Sequence, residues 1–149
     1  MTMQKAPGHL WIVGLIALVW NGFGAYDYTM SELGNAAYIE AMMNTDPAPI
    51  IAWIEAQPWY THAFWALGVW FGFAGSVLLL MRKGLAVPAF ALSLVGAVGG
   101  LVIGLTGIGG ERPEAMGGSG YNVMMSGIVI FAVALLVYAR KQRANGVLV

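Results

Sequence analysis

The stretch WYTHAFWALGVWFGFAGSVLLLMRKGLAVPAFALSLVGAVGGLVIGLTGI, residues 59–108, decides the fold. It contains two long apolar segments, 59–81 and 85–108, which are separated only by Arg82, Lys83 and Gly84. A helix of roughly 20 residues crosses a hydrocarbon core of about 30 Å, and both segments reach that length. Because so short a connection forces two helices to be antiparallel neighbours, the stretch predicts a transmembrane helical hairpin.

The rest of the chain predicts two further spans. Hydrophobic residues make up 59% of the sequence and charged residues only 9%, against about 25% charged in soluble domains. Segments 10–26 and 121–139 are also apolar, and the first is the shortest of the four. We therefore predict an all-α integral membrane protein, a four-transmembrane-helix bundle that forms a single membrane domain over residues 1–149. A rival interpretation makes the first segment a signal peptide, with Lys5 as its charged region.

The charges indicate an orientation. Lys and Arg are retained preferentially in cytoplasmic loops near helix ends. In a four-span topology one side carries six of the basic residues: Lys5, Arg82, Lys83, Arg140, Lys141 and Arg143. The other side carries Arg112 and all the acidic residues. We expect both termini to be cytoplasmic, with aromatic residues at both interfaces as anchors.

The outer segment 29–58 predicts two short helices. Apolar residues recur at roughly helical spacing in SELGNAAYIEAMM, Asp46 and Pro47 form a breaker and cap, and IIAWIEAQ follows. One interpretation is a helical hairpin on the outer membrane surface. The alternative is a lid over an outward-facing cavity. The glycine-rich loop 109–120 has no periodicity, and we expect it to be mobile.

Small residues predict where the helices pack. Helices in lipid associate by close packing and hydrogen bonds, and small residues four apart let the backbones approach. The second span carries Gly68, Gly72 and Ser76 in this register, and the third carries Gly96, Gly100 and Gly104. We expect these two faces to pack on each other, with Gly24 on the first span as a further small residue and Ser126–Gly127 as a weaker pair on the fourth. A dimer interface is the alternative use of such faces.

The polar candidates lie at the outer ends of the first two spans: Asn21, Asp27, Tyr28 and His62. Asn21 is the deepest of them, so its amide must find a partner on another helix. Asp27 is close to the outer headgroups, where a charge costs far less than at mid-membrane. Asp27 and His62 can form a pair that favours the imidazolium. Alternatively, His62 only caps the interface beside its aromatic neighbours.

Several function classes are excluded or disfavoured. The sequence has no paired carboxylates within one span and no Ser-His-Asp set at one depth, so we expect no enzyme. Without cysteine, and with His9 and His62 at opposite ends, we expect no metal site and no cofactor. The net charge of zero and the absence of a basic cluster argue against nucleic acid as a partner.

The chain resembles a family of small bacterial four-span inner-membrane proteins often labelled "sugar transporter". The resemblance rests on LWIVGLIALVWNGFGAYDYTMS, on PWYTHAFWALGVWFGFAGSVLLLMRK and on AVPAFALSLVG, and it covers roughly the first two thirds of the chain. Within it, Trp20, Asn21, Gly24, Asp27 and Tyr28 form the pattern WNxxGxxDY. The resemblance implies a bacterial inner-membrane location, and it supplies no catalytic or binding residues.

Two functions remain as hypotheses. The first is a non-enzymatic accessory or structural membrane protein that works as a homo-oligomer or within a larger membrane complex. In this protein Asn21 and Asp27 would fix the outer ends of the helices to one another. The second is a small-solute transporter that acts as an oligomer, with Asn21, Asp27, Tyr28 and His62 lining an outward cavity. A transporter normally places polar groups near the membrane midplane, and this chain has few there, so the first hypothesis is favoured.

Overall fold

The protein is described by a computed structural model that covers residues 4–149, with residues 118 and 119 described by their backbone alone. Helix makes up 78% of the chain, and the described part contains no strand. The helices are α1 (Gly8–Glu32), α2 (Ala36–Met43), α3 (Ala48–Glu55), α4 (Trp59–Leu80), α5 (Ala86–Thr106) and α6 (Gly118–Ala144), with a 3₁₀ turn at Glu114–Met116. Four of them, α1, α4, α5 and α6, are long and apolar enough to span a membrane.

The four long helices form an up-down-up-down bundle. α1 packs on α4, α4 on α5 and α5 on α6. α1 meets α6 through the rings of Trp20 and Phe131, whose centroids are 5.6 Å apart. The main core lies towards the end that holds both termini, and its largest buried side chains are Leu10, Leu79 and Phe90. This bundle confirms the predicted all-α class with four helices of spanning length.

The first span is longer than predicted. α1 begins at Gly8 and continues to Glu32 instead of ending at residue 26. Residues 25–33 contain neither glycine nor proline, and the Thr29 hydroxyl donates to the carbonyl of Ala25, so the polar residues extend the helix by more than a turn. Asp27 and Tyr28 are therefore helical residues of α1. The first four residues of the predicted outer segment also belong to this helix.

The two short helices between α1 and α4 have local causes. The Asn35 side chain accepts from the backbone N–H of Tyr38 and caps α2, which ends at Asn44 in a left-handed conformation. Asp46 accepts from the N–H of Ala48 at the start of α3. Both helices bury isoleucines in a second small core, made of Ile39, Ile50 and Ile54, against which Met116 of the glycine-rich loop packs.

The predicted glycine stripes are divided between neighbours. Gly96 does face α4, since a Cβ added to it would lie 2.6 Å from the Cα of Gly68. Gly100 and Gly104 instead face α6, where Met125 and Tyr121 approach them. The prediction that all three pack on α4 is therefore wrong for two of them. Each step of four residues along a helix rotates the side-chain direction by about 40°. A series of small residues four apart therefore turns away from one neighbouring helix and towards another.

The remaining small residues also have distinct neighbours. Gly99 of α5 faces the ring of Phe64 on α4. Gly24 makes an ordinary contact with Val69. Gly127 of α6 has no atom within 4 Å of an added Cβ, so it takes no part in packing within the described chain.

Candidate functional site

The seam between α1 and α4 is where the predicted polar residues lie. From the end with the termini to the opposite end, the facing pairs are Gly14 with Leu80, Asn21 with Ser76, Gly24 with Val69, Tyr28 with Trp65 and Glu32 with His62. The residue numbers rise on α1 and fall on α4, as antiparallel packing requires. We call this row the α1–α4 seam.

Asn21 has its partner on α4. Its Nδ2 donates to Ser76 Oγ at 3.1 Å and to the carbonyl of Ala17 at 2.9 Å. Ser76 is fully buried, and its hydroxyl donates in turn to the carbonyl of Gly72 at 2.8 Å. The Asn21 amide therefore lies in a hydrogen-bond chain that joins the two helices, which is the arrangement we expected for a deep polar residue.

Gly72 explains how three helices approach at this depth. A Cβ added there would come within 2.9 Å of Cγ of Asn21 and 3.0 Å of Oγ of Ser93 on α5. Ser93 itself donates to the carbonyl of Gly68 at 2.6 Å. The glycine makes room for polar side chains from both neighbouring helices, so its role in α4 is steric.

His62 pairs with Glu32, and the predicted pair with Asp27 is not formed. His62 Nδ1 lies 2.6 Å from Glu32 Oε1, and both side chains are about a quarter exposed, at 26% and 25%. The longer α1 carries Glu32 beyond the predicted end of the span and places it opposite the first turn of α4. The alternative of a purely interfacial His62 is also wrong, because the imidazole has a carboxylate partner.

Asp27 holds the short helix α2. The Tyr38 hydroxyl donates to Asp27 Oδ1 at 2.8 Å, and the Tyr38 ring meets Tyr26 edge-on with centroids 5.5 Å apart. Desolvation by burial, then the hydrogen bond to the Asp27 carboxylate, raises the pKa of Tyr38 well above its usual range. Tyr28 contacts Trp65 edge-on at 5.1 Å. The four predicted site residues thus have four separate partners and do not converge on one site.

The end of the bundle opposite the two termini contains a polar group of residues that sequence reasoning did not find. The Arg112 guanidinium lies 3.5 Å from the centre of the Tyr121 ring and 5.5 Å from that of Trp53. Gln57 is 8% exposed, and its amide nitrogen donates to the carbonyls of Trp53 and Gly109. Buried polar atoms here without a partner in the described chain are Trp53 Nε1, Gln57 Oε1, Thr61 Oγ1, Arg112 Nε and Asn122 Oδ1. The glycine-rich loop is therefore packed on α3 and α6.

The opposite end carries a second arrangement that the sequence did not reveal. The C-terminal residues Val147 and Leu148 are buried, and Val149 exchanges backbone hydrogen bonds with Arg82 and Gly84 in the α4–α5 turn. The Arg82 side chain donates to the carbonyls of Val147 and Gln4. Because these contacts use backbone atoms, no side-chain pattern in the sequence predicts them.

Two cavities of the described chain lie at opposite ends of the bundle. The first, about 400 Å³, lies between the start of α1 and the end of α6, and Lys5, His9 and Lys141 are among its lining residues. The second, about 390 Å³, lies beside Arg112 and the C-terminal end of α5. Neither is lined by Asn21. Residues 4–149 also contain no cluster of three or more His, Asp or Glu that could hold a metal ion.

Comparisons with protein-family models, with curated proteins and with solved structures found no match to this chain.

Proposed function

We propose that this chain is a small, non-enzymatic protein of the bacterial inner membrane that acts as an accessory or structural subunit. The observation that carries the proposal is the position of Asn21: its amide donates to Ser76 and Ala17 inside the α1–α4 seam, and neither cavity reaches it. A polar group that stays bound to a neighbouring helix stabilises packing and is not available to hydrate a passing solute.

In this proposal both termini are cytoplasmic, and the α2–α3 hairpin lies on the outer surface. The basis is the positive-inside rule applied to the bundle, because Arg82 and the basic end of α6 lie at the end that holds both termini. The chain contains no cysteine, so one introduced thiol is a unique reporter. In intact spheroplasts an impermeant maleimide should label Ala41→Cys on α2 and leave Ala144→Cys on α6 unlabelled. The reverse pattern would invert the topology.

The accessory role also requires a partner, which is a second copy of the chain or another membrane protein. α1 exposes a row of large apolar side chains that includes Trp11, Leu15 and Phe23. A photo-crosslinking residue at Leu15 should yield one discrete adduct in intact cells. The same residue at Val137, an exposed position of α6, is the matched control for non-specific membrane collisions. Only lipid adducts at both positions would argue against a subunit role.

A second candidate function is small-solute transport by an oligomer. The polar atoms without a partner around Arg112 and Gln57 are the observation that favours it, since they could bind a polar solute at the outer end.

Solute entry into proteoliposomes separates the two candidates. Vesicles containing the purified protein should swell at the same rate as empty vesicles when shocked with sugars, polyols and amino acids, and Asn21→Leu should not differ from wild type. Uptake well above background that Asn21→Leu abolishes would overturn the accessory role and make Asn21 part of the route. Uptake that Asn21→Leu leaves unchanged would also establish transport, and it would exclude Asn21 from the route.

A further inference from the structure

The cavity at the end that holds both termini has the composition of an anion site. Its lining residues include two lysines, Lys5 and Lys141, together with His9 and Asn145. No carboxylate of the described chain lies within ion-pair distance of either lysine. The acidic residues are confined to 27–55 and 111–114, at the other end of the bundle. Neither lysine is therefore neutralised by an ion pair within the described protein.

The backbone around the cavity adds to the positive potential. Pro7 precedes α1, no side chain caps the helix, and its first turn has no acidic residue. The N-terminus of a helix carries a partial positive charge and exposed N–H groups. Pro7 and His9 both line the cavity, so this helix terminus faces the same space as the lysines. The helix terminus adds to the positive potential of the cavity, and the two lysine charges make the larger contribution to it.

The walls are held in place before any ligand binds. The N–H of Gln4 donates to the carbonyl of Gly146 at 3.2 Å, and Arg82 donates to carbonyls on both terminal segments. His9 Nδ1 lies 2.6 Å from the Tyr138 hydroxyl, which orients the imidazole and leaves Nε2 outside that bond. These contacts connect the start of α1, the α4–α5 turn and the end of α6. Such pre-organisation lowers the entropy that ligand binding must lose.

The size and the position select the ligand. A volume of about 400 Å³ falls within the usual range of roughly 300–1,000 Å³ for ligand pockets. The cavity lies where two spanning helices end, and basic pockets between such helices bind the head groups of anionic lipids. We propose that this cavity binds the phosphate group of an anionic phospholipid, with Lys5 and Lys141 as the phosphate-binding residues. The proposal does not depend on the accessory role.

The test measures lipid binding to the full-length protein in neutral detergent by native mass spectrometry, with phosphatidylglycerol and phosphatidylethanolamine as probes. The wild type should bind phosphatidylglycerol more tightly. Since a Lys near an anionic surface contributes roughly fivefold in affinity, Lys5→Gln/Lys141→Gln should weaken this binding by about 25-fold. The matched control is Lys83→Gln/Arg140→Gln, which removes two charges from exposed residues at the same end but outside the cavity. It should change affinity by less than about twofold.

Each other outcome overturns the proposal. Equal losses in the two double variants would mean diffuse attraction to a basic surface. Unchanged binding in Lys5→Gln/Lys141→Gln would exclude the cavity. If inorganic phosphate competed with phosphatidylglycerol at equal concentration, the ligand would be a free phosphate and not a lipid. The charge-conserving Lys5→Arg/Lys141→Arg should retain binding, and if it lost binding while still folded, the charges would not be the cause. Thermal unfolding in phosphatidylethanolamine reports whether each variant folds.

Discussion

The α4–α5 pair and the α1–α4 pair are joined in different ways. α4 and α5 are connected by a few residues and meet mainly through glycine, with Gly96 against the backbone of Gly68 and Gly75 against Phe90. One side-chain hydrogen bond, from Ser93 to the carbonyl of Gly68, also joins them. α1 and α4 are separated by residues 33–58 and meet through specific polar pairs, Asn21 with Ser76 and Glu32 with His62.

The difference shows how each contact is specified. A short turn already makes α4 and α5 neighbours, so their residues need only permit close approach. A long connection constrains its ends weakly, because loop-closure entropy grows slowly with length. The correct partner and register of α1 must then come from side chains that bond only when aligned. We infer that steric changes act most strongly in the first pair and polar changes in the second.

The largest effect is expected from Gly96→Ala. The added Cβ would lie 2.6 Å from both the Cα of Gly68 and the carbonyl oxygen of Phe64, which are backbone atoms and cannot move aside. Overpacking of this kind costs about 1–3 kcal/mol. Gly127→Ala is the matched control, since nothing lies near its Cβ, and it should be neutral or slightly stabilising because Ala favours helix. Reversible unfolding in mixed micelles measures both, and equal effects would contradict the steric account.

Asn21→Leu tests the polar contact of the second pair, with an upper limit below that of Gly96→Ala. It removes the amide that bonds Ser76, and such hydrogen bonds between membrane helices contribute about 0.6 kcal/mol on average and 1.7 at most. The same unfolding assay should show a loss within this range. Val19→Leu, on the exposed face of α1, should show none. An Asn21→Leu protein as stable as wild type would remove the basis for calling Asn21 a structural residue.

Tyr38→Phe should cost about 1 kcal/mol, because it deletes the hydrogen bond that attaches α2 to Asp27. Tyr26→Phe keeps the ring contact and loses no described bond, so it is the control. Because the pKa of Tyr38 is raised in the folded protein, the stability that this hydrogen bond contributes depends on pH. Its contribution to stability is complete below the unfolded-state pKa of about 10 and is lost as pH rises through the higher folded-state pKa. Ultraviolet titration should find one tyrosine that ionises later in wild type than any in Tyr38→Phe.

The smallest effect belongs to Glu32→Gln. The pair with His62 is about a quarter exposed, and pairs near the surface contribute about 0.2–1 kcal/mol. The same unfolding assay should therefore show a loss of no more than about 1 kcal/mol. Glu40→Gln, on the exposed side of α2, controls for the loss of one acidic charge. Equal losses in Glu32→Gln and Glu40→Gln would contradict a specific contact between Glu32 and His62.

The sequence predicts the parts of the fold that depend on apolar length and spacing. The two segments of residues 59–108 become α4 and α5 with nearly the predicted limits, because apolar runs and a three-residue turn leave few alternatives. It also predicts that Asn21 has a partner on another helix. It could not identify Ser76, since the register between two helices joined by a long connection depends on contacts along the whole seam.

Other features of the fold depend on contacts between residues that are far apart in the sequence. The end of α1 is underestimated because residues 27–32 are mostly polar, although they continue the helix and bring Glu32 to His62. The buried residues Val147 and Leu148 follow α6 with no periodicity, so nothing in the sequence places them against the α4–α5 turn. The cavity with Lys5 and Lys141 forms only when residues far apart in the chain meet.

The most direct test of the central claim, that Asn21 fixes α1 to α4, is a double-mutant cycle. Unfolding free energies are measured for wild type, Asn21→Leu, Ser76→Ala and the double variant in the same mixed micelles. If the amide and the hydroxyl bond to each other, the coupling energy should be about 0.6 kcal/mol and at most about 1.7 kcal/mol. Additive effects, with no coupling between the two positions, would contradict the claim.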